Sequence, residues 1–286
     1  MRKLAIPNFS AEEALNLCQS GIGTADFRSR VDVGIEELSQ IAALYEVNAK
    51  IGKLFSVVPL PKKVDENTVV VAGLTKKELI NLYEYYLRDS DKPGRTIYDA
   101  LMLAADEKCP FCGGIGRPRN LDHFMPKAFF PQFSIVPLNL VPACRDCNMD
   151  GKGQDFATAE NNQIIHPYLD NERFFMEQWV CAQVIPGDPC SIDYYVCAPE
   201  QWCQIDKDRV TTHFHDFDLA KRYSIQAAEE LATLIGQRQS YMKELSPAEF
   251  SQFLASFLDS PLFINHWKRV MYKCLASDNW FCTYAF

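Results

Sequence analysis

No apolar run in the sequence approaches the ~20 uninterrupted residues that a membrane-spanning helix requires. The opening stretch MRKLAIPNFSAEE is basic for a few residues, then turns acidic before any apolar segment long enough for a secretory signal. Both absences point to a cytoplasmic globular chain. Positive charge is also short. With 29 Lys and Arg against 37 Asp and Glu, the net charge is −8, which excludes a protein that coats nucleic acid through its overall field. Any phosphate contact must come from a local basic patch or a basic partner. Internal repeats and low-complexity segments are absent, so solenoid and disordered architectures drop out.

Cysteine, by contrast, is plentiful. Eleven is an odd number, which argues against full disulfide pairing, and in a reducing compartment close pairs read as metal ligands or redox sites. With 286 residues, 48% of them hydrophobic, the chain can bury one large core or two modest ones.

The first hundred residues are patterned for helices. Three capping boxes mark helix starts along the chain: Ser10 with Glu13, Thr75 with Glu78, and Ser246 with Glu249. Ile35, Leu38, Ile41, Leu44 and Tyr45 recur at helical spacing between Val33 and Phe55. Residues 59–67 read as a loop, and 75–106 as two helices split by Asp89 to Gly94. From Phe174 to Phe217 the chain favours strands, with MEQWVCAQVI and SIDYYVCA joined by a PGDP turn. His213 and His215 alternate there on an expected strand, where they read as an ordinary polar face, with metal binding as the alternative. Leu219 to Leu245 returns to helix, Pro247 opens another, and the aromatic C-terminal end is expected to pack down.

Residues 109–153, CPFCGGIGRPRNLDHFMPKAFFPQFSIVPLNLVPACRDCNMDGKG, carry the chemistry. Two Cys-x-x-Cys pairs, Cys109/Cys112 and Cys144/Cys147, can close a tetrahedral shell around one structural zinc. Ordinary buried thiols and a thioredoxin-like pair are the alternatives, but neither pair sits in a strand-to-helix context. A closed zinc has no room for substrate, so any reaction lies elsewhere. Asp122-His123 sits between the knuckles, Asn139 lies in PLNLVP, and Asn148 directly follows the last cysteine. Here the sequence resembles the HNH, or ββα-metal, endonuclease family, whose zinc-containing members show these landmarks in this order.

The resemblance implies an α+β fold: a zinc-stapled ββα-metal nuclease module (107–170) between an N-terminal helical region (1–106) and a C-terminal mixed region (171–286). It implies phosphodiester hydrolysis with His123 as general base and Asp122 and Asn148 as ligands of Mg²⁺ or Mn²⁺. Asn139 would steady the hairpin that orients the histidine. The family's final histidine is Asn148 here, so His166, in HPY, is either a further metal ligand or phosphate contact, or a capping and packing residue. Asp122 and His123 are adjacent, and neighbours on a regular strand face opposite ways. Both can serve one phosphate only if the hairpin bends there or the substrate lies between them.

Lys108, Arg117, Arg119, Lys127, Arg145 and Lys152 give the module a modest local positive surplus. Phe129, Phe130 and Phe133 are expected in the core rather than stacked on bases. Cys18, Cys181, Cys190, Cys197, Cys203, Cys274 and Cys282 lack knuckle spacing and read as buried small hydrophobes. The run from DHFMPK to HPY is similar to stand-alone HNH proteins of mobile and antiphage systems. The nuclease subunit of Septu systems, which works with an ABC-type ATPase, is among them. DNA is the favoured substrate. RNA cleavage, and a non-catalytic zinc-stabilised adaptor, are the rival readings.

Overall fold

The computed structural model describes residues 1–284 and 286. The chain is α+β and forms two compact units, one of Lys3–Asn171 and one of Glu172–Phe286 with Met1–Arg2. No helix among the described residues is long and apolar enough to cross a membrane.

In the first unit α1 (Ala11–Ser20) packs on the long α2 (Ala25–Lys50). A small ribbon, β1 (Val69–Val71) and β2 (Leu74–Thr75), leads into α3 (Lys76–Asn81). That helix continues as a π-helical stretch, Leu82–Leu87, before α4 (Arg95–Ala104). All three capping boxes form, so each helix start satisfies otherwise free amides with its own side chains. Helix α2 begins well before Val33. Of its expected apolar stripe, Leu38 and Tyr45 are buried, whereas Leu44 is 62% exposed.

Strands β3 (Asn120–His123) and β4 (Leu140–Ala143) pair antiparallel with Asp122 opposite Val141 and His123 opposite Leu140. Where the resemblance implies an α-helix, a π-helical turn, Asp146–Lys152, follows. Leu121, Ile135 and Leu140 join Leu15, Val31, Leu38, Leu82 and Leu101 in a single core, so the cysteine-rich segment is built onto the helices. Phe130 and Phe133 are buried, as the apolar pattern predicts.

In the second unit α5 (Arg173–Met176) precedes a hairpin of β5 (Val180–Ile185) and β6 (Ser191–Val196), covered by α7 (Leu219–Gln239) and α9 (Trp267–Ser277). Helices α8 (Pro247–Ser256) and α10 (Asn279–Thr283) complete it, and Phe281 and Cys282 are buried. Two expectations need correction. Residues 204–216 are a helix, α6 (Gln204–Asp216), not a strand. Val210, His213, Phe214 and Phe217 are buried at helical spacing, and that burial outweighs the β-branched character of the segment. His213 is therefore buried and His215 exposed, and two positions apart on a helix they do not face each other.

The second correction concerns the remaining cysteines. Cys181 and Cys197 form a disulfide, while Cys203 is exposed and Cys274 half-buried. Cys181 lies opposite Tyr195, and Cys197 bonds back to Trp179. The two cysteines thus sit diagonally on one face of the hairpin, with Cα atoms 5.8 Å apart, inside bonding range.

Gly94, placed at the break before α4, is there for space. A Cβ on it would run into the Tyr86 carbonyl oxygen and lie 3.1 Å from Leu87 Cα. Gly94→Ala is expected to lower stability by about 1–3 kcal/mol in chemical denaturation. Gly23→Ala, with nothing within 4 Å of its new methyl, should be neutral or slightly stabilising.

Candidate active site and metal centre

Two local conformations build the metal centre. After Cys112 the chain turns through Gly113 and Gly114, both at positive φ, where a side chain would be strained. The turn returns the Gly114 amide to the Cys109 carbonyl (2.9 Å) and the Gly116 amide to Cys112 Sγ (3.3 Å). On the other side Cys144 directly follows β4 and Cys147 sits on the first turn of Asp146–Lys152. The four sulfurs of Cys109, Cys112, Cys144 and Cys147 lie within 4.8 Å of one another and are buried. Cys112 and Cys144 sulfurs are 4.0 Å apart. Tetrahedral zinc–thiolate bonds of 2.3 Å require about 3.8 Å between sulfurs, so this cluster can hold a zinc ion. It is the one such group of ligand side chains among the described residues.

A cleft of about 410 Å³ is lined by Asp122, His123, Lys127, Met149 and Asn148, the residue directly after Cys147, among others. His123 is the last residue of β3, and the Phe124 amide already bonds to the Asn139 carbonyl (2.8 Å). Asp122 and His123 nonetheless line the same cleft. The His123 ring packs edge-on to Tyr83, centroids 4.4 Å apart, and its Nε2 lies 2.9 Å from the Ser134 carbonyl oxygen. A carbonyl only accepts, so Nε2 carries the proton and donates. Nδ1 is left with its lone pair and makes no hydrogen bond among the described residues. Burial first, then the nearby Lys127 charge, holds the His123 pKa well below the usual imidazole value, so the ring is neutral at pH 7.

Asn139 is fully buried. Its Oδ1 accepts from the Met125 amide (2.7 Å), and its Nδ2 donates to the Met125 and Phe133 carbonyls (both 3.1 Å). One amide thus closes the long connection between the two strands and fixes the approach to Ser134. Asn148 is half-buried and its side chain makes no hydrogen bond among the described residues.

Lys152, counted in the sequence as surface charge, is instead buried. Its Nζ donates to the His123 carbonyl at 2.7 Å and lies 3.4 Å from Asp122 Oδ2. That oxygen is buried, with the Lys152 ammonium as its ion-pair partner. Burial raises the Asp122 carboxyl above its ordinary range, and Lys152 opposes the rise. Nothing in the surrounding MDGKG pattern distinguishes this lysine from a solvated one. Of the other basic residues, Lys108 and Arg117 pair with Asp106 and Glu107, while Arg119 and Arg145 are exposed without an ion pair among the described residues.

His166 is not brought to the lining of this cleft. Its Nδ1 accepts from the Tyr168 and Leu169 amides (3.2 and 3.3 Å), so Nε2 carries the proton and faces the Tyr45 hydroxyl at 3.1 Å. Both nitrogens are thereby engaged within the protein, in a turn closed by the bond from the His166 amide to Asp170 (2.9 Å).

Among known proteins, the chain is 42% identical to protein ea31 of Escherichia phage lambda over 290 aligned residues, covering 97% of this chain and 98% of that protein. No family model and no solved structure matches it.

Two outcomes are expected. Replacing Cys144 with Ser should remove zinc and unfold the segment locally, since such sites contribute on the order of 10 kcal/mol. Metal analysis and limited proteolysis read this directly, and protein purified without chelators but lacking zinc would refute it. His166→Ala should cost roughly 2–4 kcal/mol of stability, as truncation of a buried ring does, while leaving any divalent-metal titration unchanged.

Proposed function

We propose that this chain, which belongs to the family of protein ea31 of Escherichia phage lambda, is a metal-dependent nuclease of the HNH type. What carries the reading is the one cleft that receives Asp122, His123 and Asn148, in a segment that also closes the four-cysteine cluster, with the His123 Nδ1 lone pair left open.

Hydrolysis of a phosphodiester needs a base for the attacking water. His123 Nδ1 takes that proton, while the Ser134 carbonyl fixes the ring's tautomer and direction through Nε2. Asn139 holds the loop that carries Ser134. Asp122 and Asn148 line the same space, and their side-chain oxygens are the ones that would hold an oxygen-ligated hard cation. Mg²⁺ or Mn²⁺ held there would neutralise the scissile phosphate and the departing oxygen. The zinc of the four cysteines is structural in this scheme.

DNA is the substrate we favour. The chemistry acts on the phosphate that DNA and RNA share, so substrate trials must include both. With a net charge of −8, the chain fits a partner that supplies positive charge or controls access, and an ABC-type ATPase in antiphage defence is the partner we propose.

His123→Ala is expected to slow cleavage 10²–10⁴-fold while zinc content and nucleic-acid binding stay near those of the parent, because a base acts in the transition state; loss of the buried ring should also lower the melting temperature. Asp122→Ala should also stop cleavage, with partial rescue by added Mn²⁺, which His123→Ala should not show. The assay uses plasmid, single-stranded DNA and total RNA. Parental cleavage rates in the His123→Ala protein would overturn the mechanism, and a parent that cleaves none of these substrates would favour the adaptor reading.

A further inference from the structure

The charges around the cleft do not add up to a cation site. The acidic and basic side chains lining it are Asp122 and Lys127, one of each sign. Lys127 is partly spent on Glu84, 3.2 Å away. Below the lining, the buried ammonium of Lys152 sits 3.4 Å from Asp122 Oδ2 and 2.7 Å from the His123 carbonyl. The one carboxylate that reaches the cleft is therefore already matched by a positive charge inside the protein. Both side chains of that pair are less than a tenth exposed, so water and salt screen it weakly. A divalent ion entering the free protein meets no net negative charge, and hard cations of this kind ordinarily bind through one or two carboxylates together with substrate phosphates.

We propose that Lys152 makes cation binding conditional on substrate: its ammonium cancels Asp122 in the free protein, and the divalent ion and a phosphodiester enter together, the phosphate supplying the negative charge that the protein withholds. This rests on the nuclease reading above. Cation and nucleic acid then each raise the other's affinity by the same factor, since linkage is reciprocal. Lys152 is a positioning residue here. Its Nζ reaches both Asp122 and His123 from the far end of the turn that carries Asn148, and it touches neither water nor phosphate in the scheme.

The test is a Mn²⁺ titration of the full, zinc-loaded chain, with free Mn²⁺ read by its electron paramagnetic resonance signal. It is done in the His123→Ala background, so that added duplex DNA, single-stranded DNA or RNA oligonucleotides stay intact. An oligonucleotide that binds should tighten Mn²⁺ about tenfold or more, within the usual span of coupling between sites. His123→Ala/Lys152→Met should bind Mn²⁺ about tenfold more tightly without any oligonucleotide, and gain little on adding one.

Equal Mn²⁺ affinity with and without a bound oligonucleotide overturns the coupling and leaves the nuclease reading standing. So does an unchanged free-protein affinity in the Lys152→Met chain at normal zinc content and melting temperature. Should that variant fail to fold, the comparison with and without oligonucleotide in the Lys152 protein decides alone. Mn²⁺ binding that survives Asp122→Ala under every condition means the cleft is not the cation site, and both readings fall.

Discussion

Closure of four buried sulfurs on one another is the constraint from which the rest of the candidate site follows. Strands β3 and β4 have four residues each, and the turn after them is a single π-helical stretch of seven. Elements this short do not hold their arrangement by propensity or burial alone. Cys109 and Cys112 anchor the entry to the hairpin, and Cys144 and Cys147 join its exit to the turn bearing Asn148 and Lys152. One cluster thereby sets where the hairpin lies relative to that turn. The shared core through Leu121, Ile135 and Leu140 ties the stapled segment to the helices.

Within that frame, side-chain bonds to backbone carbonyls do most of the positioning. The Ser134 carbonyl aims His123, the Asn139 amide closes the loop that carries Ser134, and Lys152 pulls the end of β3 toward the turn. Each of these polar groups is buried, and each is given a partner whose loss would leave a costly unsatisfied atom. The same arrangement explains why Asp122 and His123 can be sequence neighbours and still share a cleft. Both lie in the last two positions of β3, where the strand borders the cleft.

Much of this was legible in the sequence. Paired knuckles at the right spacing announce a four-ligand centre, and capping boxes announce helix starts, because both are local patterns with local physics. Less local features were not. Helix α6 was obscured by Val210, Thr211, Thr212 and Phe214, whose preference for strand yields to burial of one helical face. The start of α2 was missed because Thr24, its cap, makes no side-chain capping bond to mark it. The Cys181–Cys197 disulfide depends on strand register, which spacing does not reveal. Lys152 is buried because of Asp122, thirty positions earlier, and a lysine between glycines carries no sign of that. His166 could be read as ligand or cap from sequence, and only the bonds to Tyr45, Tyr168 and Leu169 show both its nitrogens engaged.

The central claim is that this cleft hydrolyses nucleic acid with a divalent ion. Its most direct measurement is zinc-replete protein, alone and with any ATPase that copurifies, incubated with plasmid, single-stranded DNA and total RNA in defined metal. The account predicts cleavage of at least one substrate on adding Mg²⁺ or Mn²⁺, cessation on chelating that ion, and restoration on returning it, with the zinc retained throughout. Nucleic acid that is bound yet left intact under all these conditions would contradict it.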